Sequence, residues 1–201
     1  MEQNKNQNQD GTQKKVALPE SAIQQMAENM NQTVLGKQKK GALLIIATQP
    51  PVGDNTTLML YMVKMTAVDN NIPAAVFTPN MANTQTVNRL VAITTGIGYE
   101  KIAAGTLEME DWKTLDENLP HIVNAPLYVD DTQVQTMAEL QSKITDLVTA
   151  HGVRLVVIDY LDEICADGLV FDDERARLDY LSRSLKALAE ELTITIIAVE
   201  K

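Results

Sequence analysis

Hydrophobic and polar positions alternate between two periods along this chain. Five short runs, ALLIIA at 42–47, AAVFT at 74–78, LYVDD at 127–131, LVVIDYL at 155–161 and TITIIAV at 193–199, are mostly apolar, the first bounded by Gly41 and by Pro50, Pro51 and Gly53. Runs of this length, dense in β-branched residues, predict buried strands. Between them the apolar residues recur at helical spacing. Thr56–Val68 carries Leu58, Met59, Met62, Val63 and Met65, and a further helix is expected around Thr84–Thr94. Asp111–Leu119 reads as a helix anchored by Trp112, and Ile102 and Leu107 as the flanks of a turn at Gly105. Met137–Ala150 would be ended by His151 and Gly152, and Asp172–Leu192 aligns Leu178, Leu181, Leu185, Leu188 and Leu192 on one face. An earlier helix, Pro19–Asn31, presents Ile23, Met26, Ala27 and Met30, with Ser21 and Gln24 able to form a capping box. It either lies back on its own domain or docks on a neighbour.

Strands that are apolar throughout and alternate with helices imply an α/β fold, a mostly parallel central sheet with helices on both faces. Ligands of such sheets bind beyond the carboxyl ends of the strands. Chemistry is therefore expected at Gly53–Thr56, Pro79 and Asn80, Asp130 and Asp131, Asp159–Glu163, and Glu200 with Lys201.

Composition changes the picture at the N-terminus. Residues 1–18 offer little apolar surface to bury and are expected to be a disordered polar tail; 19–41 read as a helix and a basic linker, and 42–201 as one domain. Residues 1–41 hold six lysines against four acids, whereas 42–201 hold 23 acids against eleven Lys or Arg. Apolar runs of six or seven residues fall far short of the roughly 20 that cross a bilayer. With the one cysteine, Cys165, this points to a reducing, cytoplasmic setting without a membrane.

The segment from Gly41 to Leu60, GALLIIATQPPVGDNTTLML, reads as strand, glycine-containing turn and helix start, the layout of a phosphate-binding loop. Such a loop needs a Lys after its last Gly and then a Ser or Thr to hold Mg²⁺. Here Gly53 is followed by Asp54 and Asn55. Two unit charges about 4 Å apart at an effective dielectric near 20 interact by roughly 4 kcal/mol, so reversing the sign costs phosphate affinity several powers of ten. Thr56 and Thr57 supply hydroxyls nearby, but no Lys occurs between Lys40 and Lys64.

With these residues in place, the chain resembles the RecA-like C-terminal ATPase domain of the DnaB-type replicative DNA helicases. The likeness runs from about Ala42 to Lys201 through IIATQPPVG, AAVFTPNM, KIAAGTLEMEDW, APLYVDDT, RLVVIDYLDEI, LSRSLKALAEEL and TITIIAV, in the family's order. The resemblance implies a RecA-like P-loop NTPase fold over 42–201, a linker helix within 19–41, and ATP and Mg²⁺ as cofactors of any site that still works. It implies that Asp159 matches the strand-end Asp that supports the metal. It also implies that Pro50, Gly53, Asp54, Asn55 and Thr56 form a vestigial nucleotide loop. The family's catalytic Glu falls on Asn80, whose amide cannot take up a proton near neutral pH. The phosphate-sensing position falls on Lys201. No catalytic residue is therefore expected.

Phosphoryl transfer depends on placed charge, so losing the Lys, the Thr and the base together removes turnover. The segment LDEICADGLVFDDER has six acids to one base and is a poor lining for a DNA channel. The sequence thus predicts a replication-linked, DnaB-like protein without ATP hydrolysis that acts by self-association or by binding a replicative helicase subunit. The alternative is an active or nucleotide-binding DnaB-type ATPase or helicase component with a non-standard loop. His121 and His151 have no metal-ligand partners in sequence, Cys165 reads as a small packed side chain, and Arg175, Arg177, Arg183 and Lys186 as a salt-bridged solvent face.

Overall fold

The computed structural model describes residues 20–35, 41–47, 55–79, 81–132 and 135–200. Helix α1 (Glu20–Leu35) precedes strand β1 (Ala42–Ala47), and α2 (Asn55–Val63) follows, continuing as a π-helical turn over Lys64–Asp69. Next come β2 (Ala74–Phe77), α3 (Asn83–Thr95), α4 (Tyr99–Ala104), α5 (Met109–Val123) and β3 (Leu127–Asp130). After these lie β4 (Gln135–Thr136), α6 (Met137–His151), β5 (Leu155–Asp159), β6 (Ile164–Cys165), α7 (Glu174–Leu192) and β7 (Thr195–Glu200).

Five strands form one parallel sheet in the order β1-β7-β5-β2-β3. The inner strands are apolar on both sides because each side meets a helical layer. On one face, Ala75, Phe77, Val156, Ile158, Ile196 and Ala198 pack against Leu140 and Ile144 of α6 and Leu181 and Leu185 of α7. On the other, Ala74, Val76, Leu155, Val157, Ile197 and Val199 meet Leu58, Met59 and Met62 of α2. α1 lies on α2 in this second layer, with Ala27 fully buried and Ile23 packed against the same cluster. Of the two expectations for this helix, the structure takes the first: it lies back on its own domain.

Gly41 shows how tightly β1 is seated. A Cβ built there would stand 1.6 Å from the Ala189 carbonyl oxygen of α7, so only glycine fits. The next residue is held in the ladder, Ala42 N donating to Ile194 O at 2.9 Å. At the C-terminal end of α6, Gly152 takes the left-handed conformation (φ 66°) and its N–H bonds Val148 O, stopping the helix where expected.

Several details correct the sequence reading. Ser21 sits inside α1 rather than at its cap, and Gly105 ends a short helix, α4, rather than a plain turn. α5 is longer than expected and buries no residue fully; Trp112 is half exposed and does not anchor it. Instead Met109, Trp112, Leu119 and Val123 form an exposed stripe. Cys165 is exposed rather than packed. Arg177 is no free solvent residue either: it donates to Ile164 O at 2.7 Å and Asp162 O at 3.0 Å, and pairs with Glu174. It thereby holds β6 beside β4 in a separate two-stranded sheet. Among the described residues no helix is long and apolar enough to cross a membrane.

Candidate functional site

Because the five strands are parallel, their carboxyl ends meet along one edge of the fold. β5 ends in Asp159, which is buried; its ladder neighbour is Val199, and the following residue, Glu200, pairs with Ala47 at the end of β1. The Asp159–Tyr160 peptide bond is cis. α2 begins at Asn55, so its first turn points its N–H groups at this edge.

The contact that joins these elements is between Thr56 and Asp159. Thr56 Oγ1 donates to Asp159 Oδ2 at 3.0 Å, with both residues buried. The resemblance puts the loop's hydroxyl position on Asn55; the hydroxyl that reaches the strand-end carboxylate is that of the next residue, Thr56. The Asn55 amide nitrogen is buried without a hydrogen-bond partner among the described residues. Hydroxyl direction depends on the phase at which the helix starts, and spacing alone does not fix that phase.

Pro50, Gly53, Asp54, Asn80 and Lys201 lie outside the described residues. Pro79 is buried just beyond β2, after Thr78, whose hydroxyl donates to Met81 O at 3.1 Å. Asp130 and Asp131 belong elsewhere. Asp130 pairs with Lys143 at 2.7 Å, and Asp131 Oδ2 accepts from Asn83 N at 3.0 Å, capping α3. Burial pushes the Asp130 carboxyl up, but hydrogen bonds from Lys143 and Thr132 outweigh it and hold the group below its ordinary value.

The charged residues described just beyond β5 and at the end of β7, Asp159, Asp162, Glu163 and Glu200, are acids, and the sequence places Asp54 in the loop and Lys201 directly after Glu200. Anions need donors or cations there. The Thr56–Asp159 pair is of the kind that supports a divalent cation, yet among the described residues no three His, Cys, Asp or Glu side chains converge on a metal position. Such an arrangement ties a helix to a strand end. His121 and His151 are exposed, and the His151 ring stacks on Tyr128 with centroids 4.6 Å apart.

Comparison with known proteins bears on the same region. A family model described as the DnaB-like helicase C terminal domain matches residues 22–201. The replicative DNA helicase DnaB of Geobacillus stearothermophilus is 31% identical over 163 residues, which is 81% of this chain and 36% of that protein. That of Leifsonia xyli subsp. xyli is 29% identical over 161 residues, 80% of this chain and 35% of the relative. The chain thus spans about a third of the length of these curated relatives. Among solved structures, one described as an ATPase domain superposes with a TM-score of 0.73 at 23% identity, covering 94% of this chain and 65% of that one. A DnaB-like replicative helicase, described with its interactions with primase, gives 0.65 at 25% identity, covering 79% and 38%. The parallel five-stranded sheet is the RecA-like arrangement of these ATPase domains.

Proposed function

The chain belongs to the DnaB-like helicase C-terminal domain family, and we propose that it has kept this fold without ATP turnover and works by binding, to a replicative helicase subunit or to a second copy of itself. The observation that carries the reading is the run Gly53-Asp54-Asn55 leading into α2, an acid and an amide where a phosphate loop needs a cation and a hydroxyl. The expected base position likewise holds Asn80. Transfer of a phosphoryl group requires cations around the equatorial oxygens and an oriented nucleophile. Acids at the strand ends oppose the first, and an amide at residue 80 cannot supply a base.

Calorimetric titration with ATP and Mg²⁺ tests this. The native chain is expected to give no heat at millimolar nucleotide and no phosphate release. A variant carrying Asp54→Lys, Asn55→Thr and Asn80→Glu is expected to regain nucleotide binding. Turnover by the native chain would reject the proposal. Sedimentation of the native chain with its host's replicative helicase tests the binding half, and a strict monomer that ignores that helicase counts against it.

One observation favours a second reading, a nucleotide-binding component of a DnaB-type ATPase or helicase. The pairing of Thr56 with Asp159 preserves one hydroxyl–carboxylate couple of the sort that supports Mg²⁺. That reading requires heat on titration of the native chain, with Asp54→Lys tightening the binding.

A further inference from the structure

The edge strand β3 borders a groove that the site described above does not use. Among the described residues β3 pairs on one side only, with β2, and its four residues are half-buried where those of β2 and β5 are buried. Beside it, between the strand and α6, runs an open groove of about 580 Å³. Tyr128, Val129 and Leu147 give it apolar walls, and Asp130, Asp146 and Lys143 line it as well.

The backbone at this edge is available. In a parallel ladder the N–H and C=O of a residue point to the same side and alternate along the strand. Ala74 N donates to Pro126 O at 3.0 Å and Thr78 N to Asp130 O at 2.9 Å, so residues 126, 128 and 130 face β2. Residues 127, 129 and 131 therefore face outward. Leu127 N–H is turned back onto Ala125 O at 2.8 Å, which leaves Val129 as the central outward pair of donor and acceptor. An unpaired edge of this kind is a template for another strand.

Charge and reach select the strand. Three carboxylates, Asp130, Asp131 and Asp146, line the groove with one ammonium, Lys143, so a basic segment with aliphatic residues complements it. The N-terminal region supplies such a sequence, QKKVAL at 13–18, outside the described residues. It cannot serve its own groove. Leu18 is two residues from the start of α1, a reach of about 7 Å. α1 lies in the α2 layer, whereas the groove opens beside α6 on the opposite face of the sheet.

We infer that residues 13–18 of a second copy add to β3 as a sixth strand. Lys14, Val16 and Leu18 share one face of an extended segment. That face turns an ammonium group toward Asp146 and two aliphatic side chains toward Tyr128 and Leu147, while the backbone bonds Val129. This deepens the self-association branch of the proposed function and rests on it.

Sedimentation equilibrium of the full chain tests the inference. Either Lys14→Glu with Lys15→Glu or Asp146→Lys alone is expected to weaken self-association tenfold or more, and combining the two sets to recover most of the loss. Asp146 is exposed on α6, so its replacement leaves the core untouched. A synthetic TQKKVAL peptide is expected to dissociate the native assembly, and the same peptide N-methylated on alternate backbone nitrogens is not, because its side chains remain while its strand pairing is lost. A chain that stays monomeric overturns the inference. So does an association that neither charge reversal nor the unmodified peptide weakens, which would give the interface to another surface such as the α5 stripe. ATP turnover would reject the proposed function while leaving these association data standing; a monomer that binds a helicase and ignores ATP would reject this inference alone.

Discussion

Thr56 and Asp159 stand 103 residues apart in sequence and 3.0 Å apart in space, hydroxyl to carboxylate. The bond joins the first turn of α2 to the end of β5, two elements that also meet through apolar side chains of the α2 layer. A hydrogen bond to a buried charged group contributes about 1.5–3 kcal/mol, and leaving the carboxylate short of a donor costs a similar amount. Thr56→Val, which keeps the shape and removes the hydroxyl, is expected to lower unfolding free energy by about 1–3 kcal/mol in urea titrations at pH 7.

Gly41→Ala places a methyl group against the backbone of α7, which cannot yield as a side-chain tip can. Overpacking of this kind costs typically about 1–3 kcal/mol, so a loss of that size in thermal or urea unfolding is expected. Gly98→Ala, at a position where an added Cβ meets nothing within 4 Å, is the control and is expected to change stability little.

The Asp130–Lys143 pair makes stability depend on pH in a definite direction. The carboxyl of folded Asp130 lies below its ordinary 3.8, held there by Lys143 and Thr132 against the upward push of burial. A group depressed on folding stabilises above its unfolded value and loses that contribution as pH falls through the folded value. The pair is partly exposed, so Lys143→Met is expected to cost no more than about 1 kcal/mol at pH 7. The difference from the native chain should shrink as the pH falls below 3.8 and through the lowered folded value, measured by urea unfolding at each pH.

Arg177 reaches from α7 to the carbonyls of Asp162 and Ile164. Arg177→Met keeps the aliphatic stem and removes the donors, leaving two partly buried carbonyls to find water. A loss of about 1–3 kcal/mol is expected, with faster amide exchange confined to residues 161–165 and the β4 strand paired to them. Arg183→Met, whose guanidinium meets Asp179 O on its own helix, is expected to leave exchange there unchanged.

The sheet was legible from the sequence because its strands are covered on both sides. ALLIIA, AAVF and LVVI leave no polar position at which a different register or a helix fits, and the Leu181–Leu185–Leu188 stripe of α7 states which face it buries. Shorter elements carried less signal. β4 and β6 are two residues each, too short for any alternation, and α4 is a six-residue helix below the length at which spacing decides. Trp112 misled because an aromatic residue in an amphipathic helix is usually its inner face; α5 instead turns the half-buried Leu115 and Ile122 inward and leaves Trp112 outside. At the site, Asp159 was visible as a polar end to an apolar strand, but which neighbouring threonine would reach it was not.

The side chains that fill the two apolar layers and those that line the carboxyl ends of the strands are almost disjoint sets, sharing little beyond the Thr56–Asp159 link. Free-energy changes at separated positions add rather than compound. Substitutions can therefore accumulate along the loops at that edge while the interior continues to specify the same architecture.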